Sequence, residues 1–419
     1  MTAAPAISAD DAPACQGCGA ALVHTLVDLG EQPLANSYVP PERASEPEPV
    51  FSLHARVCDR CLLVQVDNVV PPETIFDENY AYYSSFSDSW LAHCRRYAET
   101  MRERFGLNSD SLVVEIASND GYMLQYFVAA GIPVLGIEPA GGVADAAEAK
   151  GVPTLRAFFG RETAEALVRE GRQVDLLAAK NVLAHVPDIN DFVAGIPILL
   201  KPDGVFTVEF PHLLNLIREN QFDTIYHEHF TYLSLLAVEK ILSRHGLTIF
   251  DVEQLTTHGG SLRVFAARRG CGREVSGDVA RVLDLEKTAQ LDRPEGYAGF
   301  EAKVRRVRSD LLDFLSKARA EGKTVAAYGA AAKGNTLLGY CGVTHDQIAY
   351  VVDRNPAKQR TLLPGSHIPV LDPAALDEEH PDYLLILPWN IRDEVVAQNG
   401  AFRERGGRFV TAIPQLAIF

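Results

Sequence analysis

The residues with the greatest capacity for chemistry lie in the stretch Tyr226–Tyr232, where two histidines and a glutamate stand between two tyrosines. Histidine exchanges protons near neutral pH more readily than other side chains, so the stretch could perform proton transfer. His227, Glu228 and His229 could also bind a metal, although the stretch offers no further ligands. The third interpretation is a polar loop that caps the helix predicted over 235–242. Histidine at this density favours a functional site.

A strand, a tight turn and a helix, which together could position a ligand, are predicted near residue 112. The apolar residues 112–116 predict a buried strand, residues 118–121 form a turn, and an apolar helical pattern follows. A second predicted strand, 134–137, ends in Glu138, whose carboxylate could accept hydrogen bonds from both hydroxyls of a ribose. The stretch is typical of the opening of a nucleotide-binding βαβ unit.

Two cofactors are compatible with this unit, a dinucleotide and S-adenosylmethionine (SAM). The turn contains Gly121 but lacks the other glycines of a dinucleotide fingerprint. Asn119 tolerates a positive φ better than most residues. Glu115 and Asp120 are acidic partners for the positively charged methionine end of SAM. The turn therefore favours SAM, and an ordinary capped turn remains the alternative.

Two Cys-x-x-Cys knuckles stand near the N-terminus, Cys15 with Cys18 and Cys58 with Cys61. Each knuckle lets two thiolates reach one tetrahedral ion, so the pair predicts a closed, structural zinc site without catalytic function. The alternatives are a redox pair or chance spacing. The separation of the knuckles predicts that residues 26–57 form a small β insertion of their own.

Alternating strands and helices continue along the chain. Apolar runs predict strands over 174–179 and 205–211, with a helix from about 190 to 200 that ends at Lys201–Gly204. Two further predicted strands, 247–252 and 261–266, are joined by a short loop. Because a parallel crossover needs a dozen or more residues, this pair is predicted to be antiparallel.

A second Rossmann-like unit is predicted near the C-terminus. A strand over 324–328 leads into a turn of small residues with Lys333, and a strand over 348–352 ends in Asp353. A helix N-terminus of this kind is a natural anion site. By itself the pattern would suggest NAD, with Asp353 on a ribose, and a structural repeat that binds nothing is also compatible with it.

The composition of the 419 residues limits the function classes. A formal net charge of −16 argues against nucleic acid as a partner. The contents of 47% hydrophobic and 22% charged residues are typical of a globular protein, and the length of the chain suggests two or three domains. Apolar runs are too short to span a membrane. Residues 1–14 lack the basic and apolar regions of a signal peptide, so a cytoplasmic location is expected.

Together these motifs resemble the SAM-dependent C-methyltransferases of deoxysugar biosynthesis, which act on TDP-linked 4-keto sugars. The resemblance rests on motifs along nearly the whole chain: the two knuckles, Tyr80–Ser85, Glu115–Gly121 with Glu138, Asn181–Asp188, Leu200–Phe206, Tyr226–Phe230, His258–Arg263 and Gly329–Asn335. It implies an α/β fold in which a class I methyltransferase sheet lies between a zinc-binding β module and a Rossmann-like domain. We expect a disordered lead over 1–12, the zinc module over 13–78, the methyltransferase domain over 79–275 and a nucleotide-sugar-binding domain over 276–419.

The resemblance also implies a mechanism and a set of site residues. A general base removes a hydrogen beside the sugar ketone, and the resulting enolate takes the methyl group of SAM, by analogy at C3. His229 is the implied base, with Tyr226 and Glu228 as positioning groups. The enolate oxygen or the sugar is assigned to Tyr80 and His185, although His185 could instead pack near Pro187. SAM contacts are assigned to Glu115, Ala117, Asn119, Asp120, Gly121, Glu138 and Asn181; sugar contacts to Tyr82, Ser84, His258, Ser261, Arg263, Lys333 and Asn335; zinc to Cys15, Cys18, Cys58 and Cys61.

Other functions remain open at this stage. The C-terminal unit alone would fit an NAD-dependent oxidoreductase of nucleotide sugars, and some relatives methylate another ring carbon. A zinc-ribbon interaction or nucleic-acid protein is disfavoured by the acidic balance and by the histidine-rich stretch. No pattern fixes the oligomeric state, for which a monomer is favoured.

Overall fold

The computed structural model describes residues 12–67, 70 and 83–419. Within them, the strands form three sheets. The strands are β1 (His24–Gln32), β2 (Phe51–Val57), β3 (Val64–Val66), β4 (Val113–Ile116), β5 (Val134–Ile137), β6 (Thr154–Leu155), β7 (Val174–Lys180), β8 (Leu200–Pro211), β9 (Thr231–Tyr232), β10 (Leu247–Leu255), β11 (Ser261–Arg268), β12 (Val325–Tyr328), β13 (Val351–Val352), β14 (Val370–Leu371), β15 (Tyr383–Ile386), β16 (Arg408–Thr411) and β17 (Ala417–Ile418).

The helices connect and cover these sheets. They are α1 (Asp88–Phe105), α2 (Leu124–Ala129), α3 (Gly141–Ala149), α4 (Arg161–Arg169), α5 (Ile189–Leu199), α6 (Leu213–Arg218), α7 (Leu235–Arg244), α8 (Gly277–Thr288), α9 (Phe300–Ala320), α10 (Ala332–Cys341), α11 (Ala375–Glu379), α12 (Arg392–Gln398) and α13 (Gly400–Glu404). No helix of the described part of the chain has both the length and the apolar character needed to cross a membrane.

The central sheet has the strand order β10-β11-β8-β7-β4-β5-β6. Strands β4 to β8 pair in parallel, while β11 runs antiparallel to both β8 and β10. The predicted antiparallel closing pair is therefore confirmed. Nearly every residue of β4, β5 and β7 is buried, because helices cover both faces of a parallel sheet. The order is that of the class I methyltransferase fold, and it places the turns after β4, β5 and β7 at one edge.

The C-terminal sheet, β14-β13-β12-β15-β16-β17, is parallel except for its last strand. It has the predicted Rossmann-like arrangement, with α10 following β12. Its core is continuous with that of the N-terminal module, since Leu26 and Leu53 belong to the same apolar cluster as Leu385 and Val410. The sheet of the zinc module is thus packed on the C-terminal unit, whereas Cys15, Cys58 and Cys61 belong to the apolar core of the central sheet.

The N-terminal sheet contains one strand that the sequence pattern does not predict. β1, β2 and β3 pair in an antiparallel meander, which confirms the small β insertion, and β9 adds antiparallel to β3 through Val64 opposite Tyr232. β9 forms the end of the histidine-rich stretch Tyr226–Tyr232. The candidate catalytic segment is therefore anchored in the sheet of the zinc module.

The boundary between α5 and β8 differs from the prediction. Residues Lys201–Gly204 were expected to end a helix, but β8 begins at Leu200 and runs through them. α5 ends at Leu199, and the chain enters the strand without a separate loop. Gly204 makes this close passage possible, because a Cβ there would lie 2.7 Å from the Val174 carbonyl oxygen.

Candidate active site

A cleft of about 3020 Å³ lies where the three parts of the chain meet. Its wall includes Asn36 and Tyr38 from the N-terminal module, His229 from the central part and Lys333 from the C-terminal unit. A cavity of this size exceeds what one drug-sized ligand needs. The cleft can therefore hold a nucleoside cofactor and a second, extended substrate together.

The turn after β4 has the backbone of a glycine-rich loop although it contains one glycine. Ala117, Asn119 and Gly121 have φ values of 54°, 50° and 73°, so left-handed residues alternate along the turn. Side chains other than glycine are uncommon in this conformation, and such strain concentrates at functional sites. Ala117 and Asn119 line the cleft. Asn119 also accepts a hydrogen bond from the Ser84 N–H at 2.9 Å, which joins the predicted sugar-contact segment to the turn.

Glu138, at the end of β5, closes this turn from the neighbouring strand. Its two carboxylate oxygens accept hydrogen bonds from the N–H groups of Asn119 at 3.0 Å and Ala140 at 2.9 Å. Burial raises the pKa of Glu138, and these N–H groups oppose the shift. Each oxygen retains a second acceptor site, and the side chain lines the cleft. The carboxylate is thus oriented to accept further hydrogen bonds from a diol.

Behind the turn lie Glu115 and Asp120, both buried. Glu115 shares a side-chain hydrogen bond with Tyr122, whereas Oδ1 of Asp120 has no hydrogen-bond partner among the described residues. Burial raises the pKa of Glu115 well above its ordinary value. The other oxygen of Asp120 accepts a hydrogen bond from Lys150 at 3.0 Å. Neither residue lines the cleft, so both carboxyl groups lie behind the turn that faces it.

His229 is held in one defined tautomer. Its Nδ1–H donates to the Thr224 carbonyl oxygen at 2.9 Å, so the lone pair of the neutral ring is on Nε2, which accepts from the Tyr226 hydroxyl at 3.0 Å. Burial, with a smaller contribution from His185, lowers the pKa of His229 well below its ordinary value. The ring is therefore neutral at neutral pH and offers Nε2 as a base.

His185 packs edge-on against His229, with 4.6 Å between the ring centroids. Its Nδ1–H donates to the backbone carbonyl oxygen of Glu228 at 2.7 Å. Burial lowers the pKa of His185 to about 4. Two neutral imidazoles thus stand side by side on the wall of the cleft.

This low pKa predicts a pH-dependent stability. A histidine whose pKa is lower in the fold than its ordinary value of about 6.5 binds protons more readily in the unfolded chain. The free energy of unfolding should therefore fall as the pH drops from about 6.5 to 4. Urea unfolding of the wild type and H185Q at pH 7.0 and 4.5 checks this. We expect the variant to lose less stability than the wild type over this interval, and an equal loss would contradict the assignment.

The Glu228 side chain connects the motif to the N-terminal module. Its Oε1 accepts a hydrogen bond from the Asn36 side-chain amide at 2.6 Å, and burial raises the pKa of Glu228 to about 7. Tyr38 donates to the Ala330 carbonyl oxygen at 2.5 Å, beside Lys358, which donates to the same oxygen at 2.7 Å. Asn36 and Tyr38 were not predicted, because only the tertiary fold brings residues 34–39 into the cleft.

A buried ionic cluster forms one side of the cleft. Glu209 accepts hydrogen bonds from His93 at 2.8 Å and Arg263 at 2.7 Å, and it pairs with Lys180. Burial alone would raise the pKa of Glu209, but Lys180, His93 and Arg263 lower it well below its ordinary value. Lys180 and Arg263 also flank the Tyr97 ring. Arg263 is thus occupied by carboxylates, which also include Glu253 at 2.7 Å. The sequence signal for this cluster is the pair of charged residues Lys180 and Glu209, each next to a run of buried apolar residues.

Two left-handed residues face each other next to this cluster. Asn181, after β7, and His258, before β11, have φ values of 51° and 53°, and their side chains are hydrogen-bonded at 3.0 Å. Both line the cleft. Burial lowers the pKa of His258 to about 4, so Nε2 of the neutral ring can accept from the Asn181 amide.

The C-terminal unit presents the N-terminus of α10 to the cleft. Lys333 lies on this wall and donates to Asn390 at 2.7 Å. Asp353, after β13, accepts from the Ala330 N–H at 2.7 Å and the Asn355 N–H at 2.8 Å. Arg354 and Lys358 are on the same wall. The concentration of cations at a helix N-terminus suits an anionic ligand.

The four predicted zinc ligands are brought together as expected. Ligand atoms of Cys15, Cys18, Cys58 and Cys61 all lie within 4.8 Å of one another. The Cys61 N–H donates to the Cys58 sulfur at 3.4 Å, which fixes the second knuckle. The space at Gly17 is tight, because a Cβ there would lie 3.2 Å from Leu63 and 3.4 Å from the Cys61 sulfur. Four thiolates at this separation fit a tetrahedral zinc ion.

Some predicted residues are not brought to the cleft wall. Ser261 is buried and donates to the Thr257 carbonyl oxygen at 2.9 Å, and Asn335 is buried and donates to the Ala35 carbonyl oxygen at 2.6 Å. Both hydrogen bonds stabilise loops behind the wall. Gly121 contributes its left-handed backbone to the turn and does not line the cleft. A Cβ added at this position would lie 3.0 Å from Val152. Tyr80 and Tyr82 lie outside the described residues.

Three family models match successive parts of the chain. They describe a putative zinc binding domain over residues 15–76, a methyltransferase domain over 90–252 and a C-methyltransferase C-terminal domain over 256–414. The third model covers the second Rossmann-like unit, so that unit belongs to a methyltransferase architecture.

The C-methyltransferase NovU of Streptomyces niveus is 38% identical over 401 residues, which cover 96% of this chain and 95% of NovU. A ubiquinone biosynthesis O-methyltransferase of Methylobacterium nodulans is 32% identical over 118 residues, 27% of this chain and 45% of that protein. The solved magnesium protoporphyrin IX methyltransferase of Synechocystis is 16% identical, covers 42% of this chain and 83% of its own, and has a TM-score of 0.35.

Proposed function

The chain belongs to the family of C-methyltransferases that includes NovU, and we propose that it methylates a carbon of a TDP-linked 4-keto-deoxysugar. It is a SAM-dependent enzyme with a four-cysteine zinc site. The single observation that supports the sugar most directly is the lining of the cleft, in which His229, Glu138 and the cationic residues at the N-terminus of α10 line one cavity. The methylated carbon is proposed to be C3, and another ring carbon is the alternative.

The cofactor side of the cleft fits SAM by its donor set. Glu138 can accept hydrogen bonds from the ribose hydroxyls, and the side chains of Asn119 and Asn181 also line the cleft. The left-handed backbone at Ala117 and Asn119 gives the turn the shape of a glycine-rich loop, although neither residue is a glycine. When bound, SAM supplies an electrophilic methyl group, which a substrate carbanion takes as the carbon–sulfur bond breaks.

Loss of the Glu138 carboxylate should weaken SAM binding. Hydrogen bonds to a charged group contribute about 1.5–3 kcal/mol, so E138Q should bind SAM ~10- to 100-fold more weakly. Titration calorimetry measures this, with circular dichroism to verify folding. The matched control is E148Q on the exposed surface of α3. An E138Q affinity equal to that of E148Q would exclude Glu138 from the cofactor site.

The protein's own residues then account for the activation of the sugar. Nε2 of His229 removes a proton from the carbon beside the ketone, and the electron pair delocalises onto the ketone oxygen. The Tyr226 hydroxyl, which donates to Nε2 before the substrate enters, becomes available to donate to that oxygen. An oriented donor at a developing oxyanion contributes about 3–4 kcal/mol. Glu228 and His185 hold the Tyr226–Phe230 motif in position beside the sugar.

The cationic wall of the C-terminal unit is proposed to hold the diphosphate of the nucleotide. Lys333 and Arg354 lie on this wall, and Lys358 lies beside Tyr38 of the N-terminal module. Anions are stabilised by lysine and arginine at a helix N-terminus. The TDP group would then anchor the sugar between the C-terminal unit and His229.

The test is incubation of the protein with methyl-labelled SAM and a TDP-4-keto-2,6-dideoxyhexose, followed by mass spectrometry. We expect one labelled methyl on the sugar, and NMR then identifies the carbon. SAM binding without transfer to this sugar or to other TDP-4-keto sugars would overturn the proposed substrate class and leave the methyltransferase activity intact.

A further inference from the structure

Trp389 of the C-terminal unit makes a hydrogen bond to a buried carboxylate of the catalytic segment. Its Nε1–H donates to Oδ2 of Asp223 at 2.7 Å. Asp223 has no exposed surface, and within the described residues its other oxygen has no hydrogen-bond partner. Trp389 follows β15, whereas Asp223 lies six residues before His229. The bond therefore links two distant parts of the chain beside the cleft.

The Trp389 ring makes two further contacts at this junction. A Cβ on Gly259 would lie 2.6 Å from the ring, so the ring packs directly against the loop that carries His258. On the ring, Lys333 lies 4.6 Å from the centroid, close enough for a cation–π interaction. Trp389 thus contacts Lys333 on the cationic wall, the loop that carries His258, and the segment that leads to His229.

Asp223 leads directly to the base. It belongs to the helical turn Phe222–Thr224, which is closed by the bond from the Ile225 N–H to the Phe222 carbonyl oxygen at 2.9 Å. The carbonyl oxygen of Thr224, the next residue, accepts the Nδ1–H of His229. The orientation of this turn therefore decides where that carbonyl points, and with it the tautomer of His229.

The hydrogen bond between Asp223 and Trp389 is better suited to fixing an orientation than to holding the two units together. Burial raises the pKa of Asp223 to about 6, which the Lys333 charge and the Trp389 hydrogen bond partly offset. An apolar contact would join the two units without the desolvation of a carboxylate. A single directional hydrogen bond, in contrast, fixes the angle between the tryptophan and the turn.

We propose that Asp223 and Trp389 are positioning residues through which the C-terminal unit holds the general base in its active tautomer. The proposal rests on the proposed role of His229. Trp389 fixes the turn, the turn directs the Thr224 carbonyl, and that carbonyl keeps the Nε2 lone pair of His229 towards the substrate. Lys333 on the same ring connects this chain of contacts to the wall proposed for the diphosphate.

The test compares W389F, which keeps a ring but loses the N–H donor, with D223N, which keeps an acceptor oxygen, and D223A, which does not. The first readout is the imidazole ¹⁵N spectrum of the free protein, with His229 assigned from the H229N variant. We expect W389F and D223A to mix the tautomers of His229, and D223N to keep the wild-type pattern. Wild-type ¹⁵N shifts in W389F would overturn the proposal.

The second readout is proton abstraction, measured as deuterium exchange beside the ketone of the sugar with S-adenosylhomocysteine present. W389F and D223A should exchange ~10-fold more slowly at saturating sugar, with D223N close to the wild type. If H229N still exchanges normally, the proposed base is wrong. If H229N stops exchange and W389F does not slow it, the positioning role is wrong.

The matched control is another hydrogen bond to a carboxylate, which joins the N-terminal module to the C-terminal unit outside the cleft wall. Glu48 of the N-terminal module accepts from Nε2 of His367 at 2.6 Å, and neither residue lines the cleft. E48Q should reduce thermal stability without any change in the His229 spectrum. An equal change in E48Q would mean that domain docking in general, rather than the Asp223–Trp389 bond, sets the tautomer.

Discussion

Replacement of His229 by asparagine should reduce turnover by ~10²–10⁴-fold while SAM binding stays intact. The asparagine amide can still donate to the Thr224 carbonyl, but it has no basic nitrogen where Nε2 lies. A neutral imidazole is present because burial lowers the pKa of His229, so the residue proposed as the base is in its active form at neutral pH. The measurements are steady-state kinetics with the sugar and calorimetry with SAM.

His227 provides the matched control within the same motif. It points away from the cleft, and its Nε2 lies 3.2 Å from the carbonyl oxygens of Phe51 and Ser52 in β2. H227N should therefore lower stability and leave the rate of proton abstraction near the wild-type value. Activity in H229N comparable to that in H227N would remove His229 from the role of base.

Loss of zinc should unfold the N-terminal module and thereby abolish turnover. Structural zinc contributes about 10 kcal/mol or more to the folding of small zinc domains. The second knuckle lies between β2 and β3, and the module supplies Asn36 and Tyr38 to the cleft. After chelation or in C61A, we expect rapid hydrogen exchange over 24–66 and 231–232, while the SAM affinity of the central sheet is retained.

Cys341 is the control for this experiment. It is buried in α10 and lies outside the four-cysteine cluster, so C341A should retain zinc and exchange protection. If chelation abolished turnover while the exchange over 24–66 stayed slow, the zinc would take part in the chemistry and its structural role would be wrong.

The central sheet was predicted well because its strands contain runs of apolar residues and the turns that follow them contain the polar motifs. The hardest position was the turn at Ala117 and Asn119, where the expected glycines are absent. The structure shows the left-handed backbone at both residues, so the turn keeps its shape and tolerates the strain of Cβ atoms. The SAM prediction, made from acidic side chains, is confirmed by the family.

The missed features depend on contacts between residues far apart in sequence. Asn36 reaches Glu228 and Trp389 reaches Asp223 only because the three parts pack around one cleft. β9 has two residues, too few for any periodic pattern to indicate a strand. Asn335 was assigned from a motif at a helix start, but the turn of α10 points it towards the Ala35 carbonyl instead.

The pairing of β9 with β3 has a consequence for biosynthesis on the ribosome. β3 ends at Val66, and its partner β9 emerges roughly 165 residues later. At ~5–20 residues per second, the nascent module waits on the order of 10 s with one edge of its sheet unpaired. An unpaired edge is a template for wrong association. Until translation passes Tyr232, this edge of β3 is therefore open to pairing with a neighbouring nascent chain.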